Sequence, residues 1–122
     1  MNIALWAVSA AVAAVFLFSA ATKGTWSKDR LLAAGQTGVG PVPLPLLRTV
    51  AFAELLGVAG LVLPWWTGIA PVLTPAAAAG LGIVMIGAGT IHLRLGEPRT
   101  ALANAGILVL CLFVALGRAA QL

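Results

Sequence analysis

Chemically reactive side chains are scarce in this sequence. Three carboxylates, one histidine and one cysteine are all that its 122 residues offer for acid–base, metal or redox chemistry, and tyrosine is missing altogether. The single cysteine, Cys111, excludes an intrachain disulfide and any CxxC redox motif. A lone histidine, His92, makes no metal site without Glu54 or a second subunit, so no resident metal is expected. There is no haem-ligand pair and no dinucleotide motif, so any electrons must come from a partner or a bound ligand. The seven basic residues form no stripe with interleaved aromatics, which argues against nucleic acid as a partner. Charged residues make up only 8% of the chain, too few to give a soluble domain a polar surface.

What is abundant is apolar. With 61% hydrophobic residues and a mean hydropathy of +1.09, the chain reads as an integral membrane protein, short enough to form one domain. Residues 2–23 are uncharged until Lys23 and reach about 30 Å as a helix, the thickness of a bilayer core. A secretory signal wants a positive start and a shorter apolar core, so this run is expected to remain in the mature protein. Ser9, Val12, Phe16, Ser19 and Lys23 recur at steps of three and four, a stripe expected to face protein, and Gly24 is expected to stop the helix.

Residues 24–45 form the longest connection. Ser27 is placed to cap a short helix ended by Gly35. The following QTGVGPVPLP forbids regular helix while keeping Val39, Val42 and Leu44 apolar, so this stretch is expected to fold over the membrane surface. The second span is predicted over 46–63 with Pro64 as its breaker, the third over 75–95 with Thr74 as its cap, and the fourth over 99–118 with Glu97 or Thr100 as its cap. Ala76, Gly80 and Gly87 lie at spacings that let a neighbouring backbone approach, as does Gly57 beside Glu54. Asn104, Ile107, Leu108 and Cys111 share one face of the fourth span. The expected fold is therefore all-α, an antiparallel four-helix bundle in the membrane.

One carboxylate stands near the middle of an otherwise apolar span. A charge at that depth costs a few kcal/mol even on the lenient insertion scale, so Glu54 is expected to face a partner or a cavity. Helical side chains lean toward their own N-terminus, which tilts Lys23 and His92 back into the membrane and Glu54 up toward them. Glu54 and His92 are accordingly the candidate proton-exchanging residues. Ser19, Lys23, Gly57, Arg94 and Asn104 are the candidate ligand-binding residues around them. Lys23, Lys28, Arg30, Arg48, Arg94 and Arg99 fall on one side and Arg118 on the other, so loops 24–45 and 96–99 are expected to be cytoplasmic in a multi-pass cell-membrane protein. Snorkelling at helix ends is the ordinary role of such arginines.

FLFSAATK, then GVGPVPLPLLRTVAFAELLGVAGLVLP, PAAAAGLGIVMIGAGTIHLRLGE and an ALANAGILVL helix ending in Gly117 and Arg118 give the chain an order that resembles the DoxX-like small membrane proteins. Glu54 in AELLGVAGLVLP and His92 in GAGTIHLRLGE are the most specific parts. The resemblance implies a four-helix membrane fold. The family takes its name from a subunit linked to quinone-dependent sulfur oxidation, and other members are implicated in redox-linked or assembly roles, so it assigns no catalytic residues.

Three classes of function fit these features. The first is a subunit or small enzyme handling a lipophilic redox molecule such as a quinone, with a redox partner protein and protons moving through Glu54 and His92. The second is a non-catalytic assembly partner that binds other membrane helices, or a second copy of itself, through small-residue faces. The third is a proton-coupled exporter, although small multidrug transporters carry their membrane carboxylate in the first helix and here it is in the second. The first is favoured, with the bilayer and a hydrophobic small molecule as partners.

Overall fold

The structure, a computed structural model, describes residues 1–122 and is entirely helical. Four helices are long and apolar enough to cross a membrane: α1 (Asn2–Thr25), α3 (Leu44–Thr67), α4 (Leu73–Arg94) and α5 (Pro98–Ala120). Between α1 and α3 lie a short surface helix, α2 (Lys28–Ala33), and a 3-10 turn, Thr37–Val39. Ser27 caps α2 as expected, its Oγ accepting from the Arg30 amide at 3.2 Å.

Contacts at the helix ends fix the arrangement. Arg48, near the start of α3, donates to the Lys23 carbonyl near the end of α1. Arg118, near the end of α5, donates to Asn2 at the start of α1. Gly57 and Gly60 of α3 meet Leu81 and Ala77 of α4, and Gly82 of α4 meets Leu108 of α5. Each pair runs antiparallel, closing a ring in the order α1, α3, α4, α5. Val12, Phe16, Leu61, Ala78, Leu81, Met85, Cys111 and Val114 fill its centre. Lipid is as apolar as leucine, so close packing rather than escape from water selects these residues.

Several helix ends differ from the sequence expectation, each for a local reason. Gly24 does not stop α1. It lies inside the last turn, facing Ala51 of α3, and Arg48 takes up the Lys23 carbonyl freed at the helix end. Pro64 does not break α3, which runs on to Thr67 and ends at Gly68 in the left-handed region (φ +74°). A proline at 64 removes the amide that would bond to the Gly60 carbonyl. The Thr74 hydroxyl donates to that carbonyl instead, at 2.9 Å. Thr74 thus does not cap α4; it repairs α3 and ties the two helices together. The close approach expected at Gly80 and Gly87 is also displaced, since a side chain at either would meet open space while one at Gly60 would sit 2.6 Å from Ala77 Cβ.

Candidate functional site

On the side where α1 and α4 end, the bundle holds a half-open cavity of about 470 Å³. Phe16, Val50, Met85, Ala88, Ile91 and Ile107 supply apolar wall from all four spanning helices. Gly35, Gln36, Gly38, Val39 and Val42 of the long connection form its outer side. Leu31 and Val39 pack with Leu47 of α3 and so pin this roof to the bundle. Gln36 Nε2 donates to Thr22 Oγ1 at 3.0 Å, and Lys28 Nζ donates to the Val42 carbonyl at 2.8 Å. Gly35, with φ +89°, lets the chain turn from α2 into the roof.

Ser19, Lys23, His92 and Asn104 line this cavity, joined by Thr100. Glu54 stands behind Lys23: its side chain is 0% exposed, and its Oε1 accepts from Lys23 Nζ at 3.1 Å, with the lysine side chain 18% exposed. The carboxylate is therefore connected to the cavity through an ammonium group and forms no part of the wall itself. Its Oε2 is buried without a partner, an arrangement that costs on the order of 1–3 kcal/mol. Asn104 likewise buries its Nδ2 unpaired.

Gly57 and Arg94 lie away from the cavity. Gly57 faces Leu81 on the α3–α4 seam, where its missing side chain serves helix packing. Arg94 is exposed at the end of α4, where headgroup contact is the ordinary outcome.

Glu97 contributes a part that sequence reasoning did not assign to it. It occupies the N-cap position of α5 without capping it. Its Oε1 instead accepts from His92 Nδ1 at 2.8 Å, and the Thr37 hydroxyl shares its proton between the two carboxylate oxygens at 2.8 and 2.9 Å. These bonds, His92 first and Thr37 second, hold the Glu97 carboxyl below its ordinary 4.5. An ionised carboxylate only accepts, so Nδ1 carries the proton facing it. The turn that brings Glu97 back onto His92 runs through Gly96, and no helical periodicity marks such a pair. Arg118 was equally hidden. It is 1% exposed at the opposite end of the bundle, bonded to Asn2 and Gln121 and stacked on Trp6 and Trp65 at 5.0 and 4.6 Å.

Chemically, the cavity joins an apolar body to one polar end holding an ammonium group, an imidazole and an amide. Such an end suits a lipophilic molecule whose head carries hydrogen-bonding oxygens. The model of the DoxX-like family matches residues 7–114, and the chain belongs to that family as a multi-pass membrane protein. No curated protein and no solved structure matches the chain.

Proposed function

We propose that this DoxX-like protein holds a lipophilic redox molecule of the quinone type in its cavity, as one subunit of a redox-linked membrane complex. The observation that supports this reading is the combination of an apolar cavity of about 470 Å³ with Lys23, His92 and Asn104 on its wall. That volume is within the usual range for small-molecule sites, about 300–1,000 Å³. Quinone reduction takes up protons with electrons, and the residues read as exchanging them are His92 and the Glu54–Lys23 pair. The electrons come from a partner protein. A purely structural assembly role requires no such cavity, and the ionisable groups beside it would then burden the fold without use.

The test is a titration of a short-chain quinone into the purified protein in detergent, followed by indole fluorescence. Saturable quenching is expected. Ala88→Leu is the control, because Ala88 is half-buried on the cavity wall and packs against the bundle centre, so a larger side chain there takes up cavity volume. Quenching that never saturates, or that survives Ala88→Leu unchanged, overturns the proposal.

Loops 24–45 and 96–99 are read as cytoplasmic from their basic residues. Cysteines introduced at Thr25 and Thr67 decide this, since the native Cys111 is buried. A membrane-impermeant thiol reagent outside intact cells should label position 67 and spare 25; the reverse pattern inverts the topology.

A further inference from the structure

We propose that Glu97 is a positioning residue that couples closure of the cavity roof to the orientation of His92. The inference rests on the reading of the cavity as a ligand site for its purpose, though not for its geometry.

A single carboxylate joins two parts of the chain that are 60 residues apart. On one side it accepts from Thr37, which opens the 3-10 turn Thr37–Val39 and is flanked by the cavity-lining Gln36 and Gly38. On the other it accepts from Nδ1 of His92, itself on the cavity wall. The roof also touches the opposite edge of the ring. A Cβ at Gly38 would lie 2.9 Å from His92 Nε2 and 3.0 Å from Cε1, so the glycine backbone passes directly over that edge. The imidazole is thus held at Nδ1 by the α4–α5 turn and covered at Nε2 by the roof.

Two consequences follow. In the neutral ring the proton is committed to Nδ1, leaving Nε2 as the bare nitrogen, free to exchange a proton only once Gly38 moves off it. When the roof lifts, Thr37 leaves the carboxylate and Gly38 leaves the ring together, and the imidazole loses one wall of its slot. Glu97 is 30% exposed and Thr37 is its only hydroxyl donor, so this tie is weaker than the Leu31, Val39 and Leu47 packing that anchors the roof beside it. Arg94 and Arg99, exposed on either side of the turn, form no ion pair with Glu97. Local opening at Thr37 and Gly38, beside that anchor, and release of the ring are therefore one event, set by one carboxylate.

His92 is the only histidine, so histidine labelled with nitrogen-15 reports on this ring alone. With the ring neutral, the full-length protein in micelles should show the Nδ1-protonated tautomer. Thr37→Val touches no atom of His92. It should speed amide exchange over residues 36–40 by roughly five- to tenfold, the loss of one ordinary hydrogen bond at a partly exposed site, and mix the second tautomer into the His92 signals. Glu97→Ala should do both more strongly, whereas Glu97→Gln, whose amide oxygen still accepts from Nδ1, should restore the tautomer. Faster roof exchange with unchanged ring signals overturns the coupling, as does no response of either. These readings need no ligand. A short-chain quinone added afterwards should slow roof exchange in the unmodified protein; if it does not while the variants behave as stated, the coupling stands and the quinone reading falls.

Discussion

Removing Lys23 should destabilise this protein more than removing the charge of Glu54, although the two residues form one ion pair. At 3.1 Å and an effective dielectric of about 20, their attraction amounts to roughly 5 kcal/mol, most of which is offset by desolvating both ions. The asymmetry comes from burial. Glu54 is 0% exposed and has a second oxygen already without a partner, so Lys23→Met strands a carboxylate that has nowhere to go. The expected loss is about 3–5 kcal/mol. Lys23 is 18% exposed near the end of α1, so in Glu54→Gln its ammonium can shift toward the headgroups, and the loss should be about 1–2 kcal/mol. The double variant Lys23→Met with Glu54→Leu replaces the pair by packed apolar groups and should fall within about 1 kcal/mol of the parent. Unfolding in mixed micelles against rising SDS fraction gives all three values and hence the coupling energy. Singles of equal size that simply add in the double variant would refute the reasoning.

Gly60→Ala should cost about 1–3 kcal/mol, because its new methyl would lie 2.6 Å from Ala77 Cβ, which cannot rotate away; Gly57→Ala should cost less, since the nearest atom there is the mobile end of Leu81. The same SDS titration orders the two. Arg118→Ala removes bonds to Asn2 and Gln121 and stacking on Trp6 and Trp65, and should lower stability by about 2–4 kcal/mol, with Arg118→Met recovering part of it through its apolar stem. The Glu97 carboxyl titrates below its ordinary 4.5 in the folded protein. Its depressed value means that the tie to His92 and Thr37 is fully present above that ordinary value and is lost as the pH falls through the lower, folded one. Amide exchange over residues 36–40, corrected for its intrinsic pH dependence, should rise only on that acid side and should lose this step in Glu97→Gln.

The four spans were legible because their signal is long and uniform: apolar runs of bilayer length separated by brief polar turns. The stripe through Ser9, Val12 and Phe16 also points inward as its period requires. Helix ends were less legible where a distant residue compensates for a local breaker. Pro64 is an ordinary stop until the Thr74 hydroxyl reaches the carbonyl it orphans, and neither residue announces the other. Lys23, His92 and Asn104 could be gathered on one cavity from depth and helix direction alone. Rotation about each helix axis is not fixed by depth, which is why Gly57 turned to the α3–α4 seam and Arg94 to the outside. Glu97 was hidden because its cap position offered a sufficient local use, while its actual partners come from the preceding helix and from the roof. Arg118 looked like a topology signal because its two tryptophans are far away in the sequence.

Photo-crosslinking with an azido-quinone in proteoliposomes, with the adducts mapped by mass spectrometry, tests the cavity as a ligand site most directly. Adducts are predicted on the roof around Val39 and Val42 and on the α4 wall from Val84 to His92. They should be competed away by unlabelled quinone and lost in Ala88→Leu. Adducts scattered over the lipid-facing side chains, such as Phe52, Leu56 and Ile83, and indifferent to competitor would contradict the account.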